Sequence, residues 1–414
     1  MDLREKLRQF ESDFDGVRRE SYRRSDSDID LFIAGEEVSN EYGRYFRSIT
    51  VYPETHTHGR VSLDLLRETD PRVVGLVGRD DALTGIDLRR AVFIDTETTG
   101  LAGGTGTVPF LVGLGYFYDD GFRVDQFFMR DYDEEHAVLS AVQERLAHCD
   151  ALVSYNGKAY DLNLLTSRFT LARMEHSFFD LPHLDLLFTA RRLWRRRIGD
   201  CSLSNVEERI LDFRREGDVP GYLIPSLYFD YIRTRDGSLL KSVFIHNRWD
   251  IVTLVALAAV AGRIYESPKE FLNHPLDMLS LGRAFEGLEL HAEAAECYRD
   301  ALNYGMEPEE RLEVLRLLGF SLKRMGDWER AVKVWEYMVE ITPHRFEPYV
   351  ELAKYYEHHI NDFERAVEVV RRALERIRIS EALRSCDGLS VDLKDLEYRL
   401  ARLERKRRGR RGNR

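Results

Sequence analysis

Two carboxylates spaced two residues apart, Asp95 and Glu97 in FIDTETTGL (93–101), sit at the end of an apolar run. The pattern D-x-E recurs at Asp133/Glu135, Asp327/Glu329, Asp362/Glu364 and Asp395/Glu397. Only Asp95 and Glu97 follow directly on a buried-strand pattern and lead into a Gly/Thr loop. In an extended strand, residues i and i+2 project from one face, so both acids aim at one point. Acids that close repel each other and titrate upward unless a cation lies between them, and a hard divalent ion is the natural occupant. Asn156 and Asp161, in SYNGKAYDLNLL, fall at the end of one predicted strand and in the first turn of the next helix. Asp250, in FIHNRWDIVTL, has His246 one turn before it, and i and i+4 share a helix face. Four acids and a histidine are the parts needed for two-metal hydrolysis, in which ions roughly 3.5 to 4 Å apart clamp a phosphodiester. A histidine with an ordinary pKa of about 6.5 suits the general base.

The elements that must position these groups follow from periodicity. AVFI (91–94), FLVGLGYF (110–117), FRVDQFFM (122–129) and ALVSYN (151–156) read as strands, with helices over 134–148 and 162–173. Three strands in succession, then helix, strand and helix, predict an α/β mixed sheet whose first three strands are antiparallel. A short strand at 183–187, helices near 187–197 and 202–211, a break at Pro220-Gly221 and a long helix over 239–265 complete this part. Residues 1–90 form an N-terminal lead-in, with a small β-containing segment from Ala34 to Leu66. After Pro275, Leu281-Gly282, Leu318-Gly319 and Leu352-Ala353 align at spacings of 37 and 34 residues. Ala294/Tyr298/Ala301, Ala331/Trp335/Met338 and Ala366/Val370/Ala373 align behind them. Small residues where two helices cross, flanked by aromatics, resemble three tetratricopeptide repeats.

The ordered motifs resemble the DEDD 3′-to-5′ exonucleases of the ribonuclease H-like superfamily: D-x-E on the first strand, N-x-x-x-[FY]-D, then His ahead of Asp. With the trailing repeats the chain specifically resembles the bacterial YprB-like group. The resemblance implies that Asp95 bridges two divalent cations, Mg²⁺ or Mn²⁺, which Glu97, Asp161 and Asp250 also ligate. It further implies that Thr98, Thr99, Gly100 and Leu101 lie against the terminal nucleotide, and it places Asn156 at the substrate. His246 either orients or deprotonates the attacking water, or holds Asp250. Its separation from Asp250 by three residues is that of the tyrosine branch of the family, yet the residue is histidine. The implied organisation is a lead-in over 1–90, a ribonuclease H-like exonuclease domain over 91–265, an all-α repeat domain over 275–378 and a helical, basic tail over 379–414.

Charge is distributed unevenly. The whole chain carries −11, but five arginines (Arg191, Arg192, Arg195, Arg196, Arg197) surround Trp194 within seven residues, and Arg402 to Arg414 carry eight Lys/Arg against one Glu. Arginines on successive helical turns can track phosphates while Trp194 stacks on a base, and the tail reads as a disordered basic arm adding salt-sensitive affinity. His56-x-His58 is better read as alternate residues of an edge strand than as a metal pair. GGTGT (103–107) lacks the third glycine of a dinucleotide loop, since Pro109 stands there. Four cysteines without a C-x-x-C pair argue against a disulfide framework or zinc. The charged start and the short apolar runs predict a cytoplasmic protein without a membrane partner. The expected substrate is DNA or RNA, as a single-stranded 3′ end, with a protein partner possible through the repeats. The competing reading is a catalytically silent nuclease-like scaffold whose repeats bind proteins.

Overall fold

The structure, a computed structural model, describes residues 29–53, 55–100, 106–119, 121–175, 180–382 and 390–412. The chain divides into two compact units that are interleaved in sequence rather than consecutive. The first takes the chain up to Asp64, Ile86–Asp185 and Leu211–Leu257; the second takes Leu65–Gly85, Leu186–Ile210 and the chain from Ala258 onward.

All described strands belong to the first unit: β1 (Glu36–Asn40), β2 (Gly43–Pro53), β3 (Thr57–His58), β4 (Val61–Ser62), β5 (Ala91–Thr98), β6 (Pro109–Tyr118), β7 (Gly121–Phe128), β8 (Ala151–Ser154) and β9 (His183–Asp185). Seven of them form one sheet in the order β1-β2-β7-β6-β5-β8-β9. The meander β5-β6-β7 is antiparallel, while β8 and β9 run parallel to β5. Parallel neighbours need crossovers, which α1 (Glu135–Leu146) and α2 (Asp161–Leu171) supply. The sheet also reaches back beyond residue 91, because β2 pairs with β7 from Phe46↔Phe128 to Pro53↔Gly121. The lead-in is thus partly sheet. Its residues alternate poorly because β1 is an edge strand and β2 leaves much of one face exposed. Phe46, Phe110, Phe128 and Tyr228 pack with Val138 and Phe244 into the core.

The last helices of this unit are α3 (Ile224–Thr234) and α4 (Lys241–Glu266), which belongs to it as far as Leu257. By length and composition α4 could cross a bilayer, but 72% of its most apolar stretch is buried within the protein. What brings α4 onto the sheet is a pair of glycines on one face of β6. A Cβ on Gly113 would meet Ile251 at 2.4 Å and Asn247 at 2.3 Å, and one on Gly115 would meet Ile251 at 2.4 Å. Any side chain there would hold the helix off.

The second unit contains three consecutive helix pairs: α5 (Pro275–Glu286) with α6 (His291–Ala301), α7 (Pro308–Arg324) with α8 (Trp328–Ile341), and α9 (Glu347–Lys354) with α10 (Phe363–Ala382). Gly282 lies under the Tyr298 ring and Gly319 under Trp335, where an added Cβ would come within 2.5 and 2.6 Å. These are the aligned small and aromatic positions of the sequence, paired across the first two hairpins. The basic C-terminal end is a helix, α11 (Ser390–Gly412), and not a disordered arm. It buries Leu396 and Leu403, two turns apart, and directs Arg402 and Lys406 onto the buried carboxylate of Glu357 at 2.5 and 2.9 Å.

Candidate active site

Asp95 lies on β5 directly opposite Gly113 of β6, so it faces the gap through which α4 approaches. Asn247 of α4 closes that gap: its Nδ2 donates to Asp95 Oδ2 at 2.8 Å and to the Asp95 carbonyl at 3.2 Å. With the helix anchored there, His246 and Asp250 arrive on the same side as Glu97. One ligand atom from each of Glu97, His246 and Asp250 lies within 4.8 Å of the others. Thr96 points to the other side of β5, where its Oγ1 donates to Asp161 at the start of α2. Glu97, His246 and Asp250 thus converge, and Asp95 and Asp161 lie near enough for their charges to be felt across the group.

Their charges are mutually unfavourable. Burial pushes the Asp95 carboxyl well above its usual range, and the negative charges of Asp250, Glu97 and Asp161 push it further. Glu97 is driven up to about 8, chiefly by burial, with Asp250 and Asp161 adding to it and His246 and Arg215 opposing. Asp161 rises to about 6 through burial, held back by hydrogen bonds from Thr96. Burial pulls His246 down, but the hydrogen bond to Asp218 and the charges of Asp250 and Glu97 outweigh it, raising the imidazole to about 9. A donor set of this kind, oxygen-rich, buried and short of positive charge, fits a divalent cation and makes this a candidate metal site.

Several contributors are not evident from motif spacing. Asp218 Oδ1 lies 2.8 Å from His246 Nδ1, and Arg215 bonds both Asp250 and, at 3.1 Å, Asp218. Both residues come from the charged stretch RREGD (214–218), which has no periodicity to distinguish it from a solvated loop. The loop is held from below by the hairpin β3-β4. Arg60 N donates to Leu211 O at 2.9 Å, His58 stacks on Phe213 with 3.8 Å between ring centroids, and His58 Nε2 meets Thr253 Oγ1 at 2.7 Å. His58 is thus a buried structural residue, while His56 packs on Tyr52. Asn247, adjacent to His246 in sequence, could have been found by asking what meets Gly113.

The remaining expected substrate contacts separate into two groups. Thr98, Thr99 and Gly100 form a tied turn: Thr98 Oγ1 donates to Gly100 O at 2.8 Å, Val108 N donates to Thr99 Oγ1 at 2.9 Å, and Tyr160 OH donates to Gly100 O. Leu101 lies outside the described residues. Asn156 takes a left-handed φ of 66°, and its backbone N–H is held by Asp185 Oδ1 at 2.8 Å, leaving the side chain exposed. The arginine cluster does not form the expected stacking surface. It lies on the helix Leu186–Ile198 of the second unit, with Trp194 2% exposed in the interior, where no base can stack on it. Arg192 bonds the Val77 carbonyl at 2.7 Å, Arg196 pairs with Glu313 at 2.9 Å and Arg197 with Asp277 at 2.8 Å. Arg191 and Arg195 are exposed. A run of arginines in sequence does not distinguish packing partners from phosphate contacts; the helical period does, since it turns Leu193 and Trp194 inward and carries their neighbours with them.

Residues 92–261 match the model of the RNase H superfamily, covering the sheet from β5 and the helices through most of α4. An uncharacterised protein of Bacillus subtilis (strain 168), YprB, is 32% identical over 367 residues, 86% of this chain and 84% of YprB. The chain belongs to the YprB family. Its sheet-bearing part is an RNase H-like domain, a fold of nucleic-acid-processing nucleases. Among solved structures, the family B DNA polymerase of the hyperthermophilic archaeon Pyrobaculum calidifontis aligns with a TM-score of 0.33 and 11% identity over 47% of this chain. The chain spans 28% of that polymerase's length. In this YprB-family member the matched segment contains Asp95, Glu97, Asp161, His246 and Asp250, and also Arg215 and Asp218.

Proposed function

We propose that the protein is a metal-dependent 3′-to-5′ exonuclease that hydrolyses phosphodiester bonds in DNA or RNA. The observation that carries this reading is the convergence of Glu97, His246 and Asp250, with Asp95 beside them, in a buried acidic cluster. Asp95, Glu97, Asp161 and Asp250 would hold two divalent cations, Mg²⁺ or Mn²⁺. Bound there, the ions supply charge neutralisation for the attacking and leaving oxygens.

The protein's own groups then have separable tasks. Asp218 occupies His246 Nδ1, which leaves Nε2, 3.5 Å from Asp250 Oδ2; with cations neutralising the carboxylate charge that raises the imidazole, Nε2 would be the atom that takes a proton from water. Asn247 fixes the Asp95 carboxylate by one oxygen. The turn 98–100, braced by Tyr160, offers a rigid edge for the terminal nucleotide. In the second unit, the paired small and aromatic positions support a reading of the three helix pairs as tetratricopeptide repeats, a protein- or substrate-recruiting surface.

The test is digestion of 5′-labelled single strands of DNA and of RNA with Mg²⁺ or Mn²⁺. The expected result is a ladder shortening from the 3′ end that Asp95→Ala abolishes. If wild type and Asp95→Ala behave alike, the protein is not this enzyme, and the scaffold reading replaces it.

A further inference from the structure

Within the second unit, the C-terminal turn of α7, the start of α8, the end of α9 and the face of α11 line an open cavity of about 410 Å³. Lys323, Lys354, Arg399 and Arg402 line it together with Trp328, His358 and His359, and no acidic residue among those described does. Two carboxylates, Glu351 and Glu357, are buried behind this lining. Glu351 takes Lys323 Nζ and Lys354 Nζ at 2.5 Å each. Glu357 takes Arg402 and Lys406 and lies 3.5 Å from Arg399. Two carboxylates thus face five cations, and four of these, Lys323, Lys354, Arg399 and Arg402, also line the cavity. Its other wall is aromatic: Trp328 stacks with His359 at 4.9 Å and with Tyr355 at 5.9 Å, with Lys323 Nζ 5.9 Å from the Trp328 ring centre.

We propose that this cavity binds a nucleotide unit of single-stranded nucleic acid, its phosphate on the lysines and arginines and its base on the Trp328–His359 wall. Cations alone would serve any polyanion. A flat hydrophobic wall beside them selects an anion that carries a ring, and stacking of that kind tolerates any base. The cavity is within the range of about 300 to 1,000 Å³ usual for small-molecule sites. The proposal takes the class of polymer from the nuclease reading, but it concerns a separate site and is measured without cleavage.

The experiment uses the full chain in EDTA, where the acidic cluster of the first unit repels a nucleic acid strand. Fluorescence anisotropy reports binding of a labelled oligo-dT, of an abasic strand with the same number of phosphates, and of a poly-glutamate peptide. Wild type should bind oligo-dT at least about fivefold tighter than the abasic strand, since one stacked base contributes about 1 to 3 kcal/mol. The double variant Lys354→Gln/Arg399→Gln leaves each buried glutamate a cation and should weaken oligo-dT roughly tenfold or more. It should also flatten the dependence of log Kd on log salt by about 0.7 for each phosphate that is no longer neutralised. Trp328→Leu, checked for native helicity, should remove the preference for bases while keeping the salt dependence. An unchanged affinity in the double variant overturns the proposal, as does equal binding of oligo-dT, abasic strand and poly-glutamate. Nucleotide binding with these properties in a chain that cleaves nothing would refute the nuclease reading alone.

Discussion

His246 sits between two carboxylates with different demands. Asp218 accepts from one ring nitrogen and fixes the ring, while Asp250 shares the helix face presented to the acids. If Nε2 takes the proton from water, His246→Ala should lower the cleavage rate by roughly 10² to 10⁴ with metal affinity largely retained, as measured by calorimetric titration of Mn²⁺. An unchanged rate would leave His246 only the task of holding Asp250. Asp218→Asn keeps the shape but loses the charge that orients the imidazole, and a cost of about 10- to 100-fold is expected. The same groups set a pH dependence in the metal-free protein. Glu97 and His246 both have folded pKa values raised, from 4.5 to about 8 and from 6.5 to about 9. A raised group favours the folded state fully below its unfolded pKa and loses that contribution as pH climbs through the folded value. The metal-free melting temperature should therefore fall between about pH 5 and pH 9, and Mn²⁺ should raise it more at pH 8 than at pH 5. A flat profile, with metal stabilisation independent of pH, would contradict the charge arrangement.

At the scale of elements, the site depends on how closely α4 approaches β6. Gly113 faces Asp95 across the strand pair and Asn247 across the interface, so Gly113→Ala displaces the side chain that holds Asp95. Overpacking of this order costs about 1 to 3 kcal/mol, which urea unfolding will show. The loss of activity should exceed what that instability explains, and a variant destabilised yet fully active would detach the helix position from catalysis. The strand pattern makes β5, its two acids and the α4 face readable from sequence, because a buried strand and an i, i+4 pair leave periodic traces. Arg215 and Asp218 leave none, since loop residues have no period and the loop itself is held by the β3-β4 hairpin far away in sequence. Strands β1 and β2 are obscured for a related reason: a half-solvated strand mixes polar and apolar residues on a short length. The arginines of 191–197 read as a surface when charge is counted before the helix is turned.

At the scale of the whole molecule, the interleaving of the two units alters what a truncation means. Cutting at residue 274 looks from the sequence like the removal of a terminal repeat domain. The helix Leu186–Ile198, however, packs on α5. Its Arg197 reaches the buried Asp277 and its Arg196 reaches Glu313, while Thr189 and Arg192 hold the carbonyl of Val77. Deleting the chain from Pro275 onward leaves residues 65–85 and 186–210 behind without the helices they pack against, and opens the surroundings of Trp194. The truncated protein should bind a hydrophobic dye, melt well below the full chain and aggregate on warming, so its loss of activity says nothing of recruitment by the repeats. Substitutions on the exposed face of the repeats separate the two effects where a deletion does not. A truncated chain that melts at the same temperature as the full protein and stays monomeric would show that the helix Leu186–Ile198 draws its stability from elsewhere, and would restore the simple order of consecutive domains.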